Sequence, residues 1–167
     1  DALGQMMVGY VQDTFDGFAP KRILDMGCGI GGGLLPFVDA YPDAEVHGID
    51  VATPMLRYGH ARAEALGRKV RFSQQNAEHT NFPDASFDLV MTHIVVHETS
   101  QKALRNILKE CRRLLKPGGV TVHCETPMYD DRLSPFDQAQ TDWDTYFNNE
   151  PFVGPMHGLD ADTLMRE

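Results

Sequence analysis

A short apolar strand that runs directly into closely spaced glycines is the feature that most constrains the fold. Residues 21–26 (KRILDM) favour a strand, and Gly27, Gly29 and Gly31 follow it. Glycines at such a turn let the backbone approach a ligand and aim the start of the next helix at it. Together with Gly32, the first two glycines also satisfy the dinucleotide pattern G-x-G-x-x-G. The turn therefore predicts a ligand site and leaves the ligand open.

Strands and helices alternate along most of the chain. Strand patterns occupy residues 21–26, 45–50, 70–73, 87–92 and 120–124, and helical patterns occupy 2–18, 32–41, 54–67, 102–115 and 159–165. Thr53 is the expected N-cap of the third helix, and residues 116–119 (KPGG) predict a turn that ends the fourth. Alternation at this spacing predicts parallel βαβ units with right-handed crossovers. The predicted fold class is α/β, a doubly wound, mostly parallel sheet within a single domain over residues 1–167.

Composition narrows the classes of partner. The formal net charge of −9 predicts no basic face for a phosphate backbone, so a small molecule is favoured over nucleic acid. No apolar run approaches the roughly 20 residues of a membrane span, and the N-terminus lacks a signal-peptide pattern. Three scattered cysteines are too few for a disulfide framework or a zinc site. A protein of the reducing cytoplasm, without a metal or a membrane partner, is expected.

The residues around the glycine turn resemble motif I of class I S-adenosylmethionine-dependent methyltransferases. In that motif an acidic residue stands two positions before G-x-G-x-G, as Asp25 stands before Gly27, Gly29 and Gly31. The resemblance implies that Asp25 interacts with the amino group of the cofactor's methionine part. A carboxylate here would be unfavourable beside a pyrophosphate, which favours the cationic cofactor over a dinucleotide.

Further stretches in the same order strengthen the resemblance, which covers about residues 20–126. Residues 48–55 are similar to motif II, with Asp50 binding the ribose hydroxyls, and residues 76–78 follow the third strand where the family surrounds the adenine. Residues 82–90 and 115–119 match the family's spacing into the fourth and fifth strands. The cofactor contacts that the resemblance implies are Asp25, Gly27, Gly29, Gly31, Asp50, Val51, Met55, Asn76, Ala77, Glu78, Thr92 and His93.

Two histidines after the fourth strand are the candidate bases. His93 and His97 border the acceptor site in the family, and histidine titrates near neutral pH. The alternative for each is packing or capping. His123 in the fifth strand is expected to be a core histidine, and Glu125 and Thr126 at its end are candidates to line the acceptor site.

Two groups of aromatic and apolar residues either pack in the core or cover a ligand. Met6 and Tyr10 on the first helix either cover the cofactor or pack in the core. Residues 127–158, rich in proline and aromatic residues, are expected to form a lid or insertion over the acceptor. Within this segment, Trp143, Tyr146 and Phe147 belong either to that lid or to the core.

The family's sheet has seven strands, of which five are predicted here. The last two strands are expected to be missing, because the chain ends within the helix that precedes strand six. One sheet edge is then exposed, which predicts either a homodimer through that edge or disorder of the edge. The predicted activity is methyl transfer to a small-molecule acceptor. The alternatives are an NAD(P)-dependent oxidoreductase and a non-catalytic, cofactor-binding subunit.

Overall fold

Five strands and six α-helices are formed by the residues that the structure describes. The computed structural model describes residues 2–125, 134–148, 150–153 and 161–166. The strands are β1 (Arg22–Met26), β2 (Glu45–Asp50), β3 (Arg71–Gln74), β4 (Phe87–His93) and β5 (Leu115–Cys124). The helices are α1 (Ala2–Thr14), α2 (Leu35–Ala40), α3 (Thr53–Ala65), α4 (Gln101–Leu114), α5 (Pro135–Phe147) and α6 (Ala161–Arg166), with a 3-10 helix at Val96–Glu98.

The sheet is parallel throughout, in the order β3-β2-β1-β4-β5. Its strand order reverses between β1 and β4, the point at which open α/β sheets bind ligands. Helices cover both faces, so the two central strands are almost wholly buried, as parallel strands require. The predicted doubly wound α/β fold, with five strands among the described residues, is confirmed.

Each face of the sheet packs against its own helices. On one face α1 and α2 contribute Met7, Val11 and Phe37 to a cluster with Ile23, Val46 and Leu89. On the other face α4 contributes Ile107, Cys111 and Leu114 to a cluster with Leu24, Met26 and Val90. Burying each of these large apolar side chains stabilises the fold by about 1.5–3 kcal/mol. The two clusters hold the carboxyl ends of β1, β2 and β4 in fixed positions.

Two local predictions were wrong. Thr53 is the first residue of α3 and not its cap, because Ala52 occupies the N-cap position and makes no side-chain capping bond. Helix α4 ends at Leu114, just before residues 116–119, as predicted. These residues do not form the predicted turn but lie within β5, which pairs Leu115 with Phe87 and Val120 with Leu89. Residues 116–119 of β5 thus lie opposite Asp88 alone, and both glycines fall within this irregularity of the strand pairing.

The lid predicted over residues 127–158 is only partly described. Residues 127–133, 149 and 154–158, like Thr126, lie outside the described residues. The described part contains α5, in which the rings of Trp143 and Phe147 are in contact, with centroids 4.3 Å apart and planes tilted by 33°. These two side chains and Tyr146 are more than half exposed, which excludes the core alternative for them.

Candidate functional site

The glycine turn (residues 27–31) joins the end of β1 to the chain that leads into α2. The backbone N–H groups of Gly27 and Cys28 donate to the Ile49 carbonyl at 2.8 and 2.9 Å, which anchors the turn to β2. Gly27, Gly29 and Gly31 have φ values of 78°, 50° and 74°. Residues other than glycine rarely adopt this left-handed backbone conformation, so the turn requires glycine at these three positions.

The first glycine is also required by a close contact. A Cβ at Gly27 would lie 2.6 Å from Cγ2 of Val95, in the loop after β4. A Cβ at Gly29 would meet no described atom within 4 Å, so this part of the turn faces open space. The turn is therefore packed on one side and accessible to a ligand on the other.

Asp25 lies two residues before Gly27, the first residue of this turn, and is buried. Its relative exposure is 1%, and neither carboxylate oxygen has a hydrogen-bond partner among the described residues. Burial, together with the nearby charge of Asp50, raises the pKa of Asp25 to about 8. Asp25 is therefore not a solvated residue at the end of the strand. A buried carboxyl group without a partner is costly unless a ligand compensates it.

Asp50 ends β2 and fixes the other side of the turn. Its Oδ2 accepts from the Gly29 N–H at 2.8 Å, and its Oδ1 accepts from the Ala52 N–H at 2.7 Å. Each carboxylate oxygen can accept a further bond, so two ligand hydroxyls can still be accommodated. Val51 and Met55 follow on the chain and are 63% and 47% exposed, which leaves both available to a ligand.

The segment predicted to surround the adenine begins two residues after β3. The Glu78 N–H donates to Oδ1 of Asn76 at 2.8 Å, which closes a local turn. Glu78 also accepts from the Asn106 side chain of α4 at 2.7 Å. Ala77 packs against the cluster that α4 covers. These contacts fix the conformation of the segment, which, like Asp50, lies at the carboxyl ends of the strands.

Thr92 and His93 end β4 beside the glycine turn. Thr92 is buried, and its hydroxyl lies 2.8 Å from Nδ1 of His123 on β5. The His93 ring packs on Gly33, where a Cβ would lie 2.7 Å from the ring. Nε2 of His93 is buried and has no hydrogen-bond partner among the described residues. Burial lowers the pKa of His93, which keeps its ring neutral and able to accept a proton.

His97 is bonded to Glu125, the residue that follows β5. Its Nδ1 lies 2.5 Å from Oε1 of Glu125, and both side chains are nearly buried. Oε2 of Glu125 also accepts from the N–H groups of Val96 and His97, at 2.6 and 3.3 Å. The pairing was not predicted, although β4 and β5 are neighbouring parallel strands whose carboxyl ends must meet. Glu125 thus faces the loop after β4.

His123 has both ring nitrogens engaged within the sheet, as predicted, but it is half-buried and lines a groove at the end of β5 instead of lying in the core. Its Nδ1 lies 2.8 Å from the hydroxyl of Thr92 and its Nε2 lies 2.9 Å from the hydroxyl of Thr121. Burial lowers its pKa to about 4, so the ring is neutral at pH 7. Both nitrogens are engaged within the fold, which leaves this histidine no catalytic task.

A groove of about 630 Å³ runs between α1 and the edge strand β5. Met6 and Tyr10 line it from α1, and Val96 and Glu125 line it near the ends of β4 and β5. Met6 and Tyr10 are each more than half exposed, so the interpretation that they pack in the core was wrong. Within the described ranges, no group of three or more His, Cys, Asp or Glu side chains could hold a metal ion.

Comparison with known proteins identifies the family. The family described as "Methyltransferase domain" matches residues 23–119, more than half of the chain. A demethylmenaquinone methyltransferase of Thermus thermophilus is 40% identical over 109 residues, covering 65% of this chain and 49% of that protein. A ubiquinone biosynthesis O-methyltransferase of Idiomarina loihiensis is 34% identical over 119 residues, covering 70% and 47%. The chain spans about half the length of these curated relatives.

A solved structure of a relative contains a product of the cofactor. PKMT2 of Rickettsia typhi in complex with AdoHcy is 27% identical, with a TM-score of 0.56, covering 62% of this chain and 20% of that one. The site described above fits S-adenosylmethionine, because the Asp25 carboxyl, to which no described residue is bonded, lies beside an open glycine turn. Since the match to the methyltransferase domain extends over more than half of its length, the chain belongs to the class I S-adenosylmethionine-dependent methyltransferase family.

Proposed function

We propose that this chain binds S-adenosylmethionine at the glycine turn and transfers its methyl group to a small-molecule acceptor. One observation carries the proposal: Asp25 is buried before the turn, and no described residue bonds either of its oxygens. A buried acid of this kind is stabilised by a cationic ligand. The ammonium group of the cofactor's methionine part is such a cation.

The remaining cofactor contacts follow the path of the turn. The carboxylate of Asp50, held by two backbone N–H groups, would accept bonds from the ribose hydroxyls. Val51 and Met55 would cover one side of the adenine, and residues 76–78 would border its edge. The backbone of Thr92 and His93 would contact the methionine part, since the Thr92 hydroxyl is already bonded to β5.

When bound, S-adenosylmethionine supplies a methyl group on a positively charged sulfur, ready for in-line displacement by the acceptor. The protein then has to align the acceptor, exclude water and, for a hydroxyl or amine acceptor, remove a proton. We assign the proton removal to His93, whose buried Nε2 has no described partner and whose lowered pKa keeps it neutral. His97 is the second candidate base, and its bond to Glu125 leaves Nε2 as the atom that would act.

The groove between α1 and β5 is the proposed acceptor site. Its lining is mainly apolar, with Glu125 as a charged group at one end. Such a lining suits a flat or apolar small molecule. Two relatives, named for demethylmenaquinone and for ubiquinone biosynthesis, support an acceptor of this chemical character.

Calorimetric titration with S-adenosylhomocysteine and, separately, with NAD tests the cofactor assignment. We expect S-adenosylhomocysteine to bind and NAD to give no heat of binding. Tight binding of NAD alone would contradict the proposal and favour an oxidoreductase. Methyl transfer is tested with a labelled methyl donor and a panel of phenols, amines and carboxylic acids. Cofactor binding without turnover on any acceptor would favour the non-catalytic subunit.

We further propose that the protein works in the reducing cytoplasm, without nucleic acid or membrane partners. Its cysteines Cys28, Cys111 and Cys124 are buried free thiols, which suits a reducing compartment. None of the helices in the described part of the chain is long and apolar enough to cross a bilayer. The net charge of −9 disfavours binding to nucleic acid. Fractionation of the source cells followed by detection of the protein tests the location.

A homodimer through the β5 edge is the proposed assembly. β5 pairs only with β4 among the described strands, so its outer edge can pair with another chain. Light scattering coupled to size-exclusion chromatography measures the mass in solution, and a value twice the 18.7 kDa of one chain is expected. A monomer at every concentration would refute the dimer.

A further inference from the structure

Glu125 connects the end of β5 to the loop that follows β4. This loop, residues 94–98, is here named the β4 loop. Oε2 of Glu125 accepts from the Val96 N–H at 2.6 Å and from the His97 N–H at 3.3 Å, while Oε1 accepts from the His97 ring. Three donors from two consecutive residues therefore converge on one carboxylate.

The β4 loop needs such support because its backbone is strained. Ile94 has a φ of 56°, a left-handed conformation that a β-branched side chain rarely adopts. The Ile94 N–H donates to the Cys124 carbonyl at 2.8 Å. The acceptors of the Ile94 and Val96 N–H groups thus belong to two adjacent residues at the end of β5, Cys124 and Glu125.

The loop in turn lies against the glycine turn. Cγ2 of Val95 occupies the space beside Gly27, 2.6 Å from where a Cβ would be. A shift of the loop away from β5 would open this contact next to Asp25. Glu125 is therefore linked to the cofactor site through the position of Val95, without touching that site itself.

We infer that Glu125 is a positioning residue of the methyltransferase site, which holds the β4 loop against the glycine turn and orients the His97 ring. This inference rests on the proposed function, since the cofactor is the ligand that the positioned loop would serve. A loop that leaves its binding-competent position lowers the apparent affinity by the fraction that remains competent. Glu125 should therefore act on cofactor affinity although it makes no cofactor contact.

The Glu125→Gln variant tests the inference with little change in volume. The amide nitrogen of glutamine cannot accept a hydrogen bond. The variant therefore loses either the bond from the His97 ring or the bonds from the two backbone N–H groups. We expect the dissociation constant for S-adenosylhomocysteine to rise roughly tenfold to a hundredfold, from the loss of hydrogen bonds to a charged group. The downfield proton resonance of the His97 Nδ1–H should also move upfield. Glu98→Gln, an exposed carboxylate in the same loop, is the matched control and should change neither quantity.

Amide hydrogen exchange of the wild-type protein gives a second measurement that needs no variant. S-adenosylhomocysteine should slow exchange at Val96 and His97 by at least tenfold, because a bound ligand favours the held loop. Exchange at both amides that does not change on binding would overturn the inference and leave the proposed function standing. The same conclusion would follow if a folded Glu125→Gln protein bound S-adenosylhomocysteine as tightly as the wild type does. If the wild type itself does not bind S-adenosylhomocysteine, the proposed function fails, and the inference fails with it.

Discussion

Replacing Asp25 with asparagine should change how the stability of the protein depends on pH. The folded state holds this carboxyl group almost fully buried with a pKa of about 8, whereas its ordinary value is 3.8. Between these two values the unfolded chain releases the proton and the folded protein keeps it. The wild-type free energy of unfolding therefore carries a term that is favourable at low pH and is lost as the pH rises towards 8.

The size of this term follows from the two pKa values. Each pH unit between them lowers the wild-type free energy of unfolding by about 1.4 kcal/mol relative to a neutral group at the same position. Asparagine has a similar shape and no proton to lose, so the variant lacks this slope. Asp25→Asn should therefore gain about 4 kcal/mol over the wild type at pH 7, and the gain should shrink towards pH 4.

Urea unfolding followed by far-UV circular dichroism measures the difference at a series of pH values from 4.5 to 7.5. Other titrating groups are common to both proteins and cancel in the difference. Asp16→Asn, which changes an exposed carboxylate, is the control and should follow the wild type at every pH. A constant difference between Asp25→Asn and the wild type across this range would refute the reasoning.

The same protonation predicts how the cofactor binds. A cationic ammonium beside Asp25 favours the ionised carboxylate, so the wild type should release roughly one proton on binding at pH 7. Its affinity should rise with pH up to about 8. Titration calorimetry in buffers of different ionisation enthalpy measures the proton release. The Asp25→Asn protein should bind weakly and release no proton.

Three further variants have expected outcomes. Gly27→Ala introduces a methyl group 2.6 Å from Val95 at a φ of 78°, so thermal unfolding should show a loss of at least 2 kcal/mol and calorimetry a loss of cofactor binding. Glu110→Ala removes the buried carboxylate that accepts two bonds from Thr80 at 2.7 Å, and urea unfolding should show a loss of about 3–5 kcal/mol. Ser100→Ala removes the N-cap of α4 and should cost about 1 kcal/mol in the same assay, with cofactor affinity unchanged.

The sheet and its ligand edge could be predicted because their signals are local. Strands buried on both faces are short apolar runs, and the turn after β1 needs glycines that no other residue replaces. The pattern therefore placed β1, β2 and β4 within a residue of their observed bounds. The apolar stripe of α4 was equally clear, since Leu104, Ile107 and Cys111 repeat at helical spacing and are all buried.

The side-chain environments of the site could not be predicted, because they depend on contacts between distant segments. The burial of Asp25 follows from the strands that flank β1, and its raised pKa follows from that burial and from the nearby charge of Asp50. The bond between His97 and Glu125 joins residues 28 positions apart. The predicted N-cap at Thr53 failed for a similar reason, since capping depends on the backbone angles of the chain entering α3.

Protonation of Asp25 also gives a physical reason for the choice of ligand. The glycine turn can approach either a sulfonium cofactor or a dinucleotide, since backbone N–H groups alone do not distinguish them. A pyrophosphate brings negative charge towards Asp25 and Asp50. This charge would keep Asp25 protonated, so the carboxyl group would add nothing to the binding free energy of a dinucleotide. An ammonium group instead ionises Asp25 and gains a charge-assisted bond in a buried setting, where such bonds are strong. The carboxyl group that costs the free protein stability above pH 4 is therefore the group that favours a cationic cofactor.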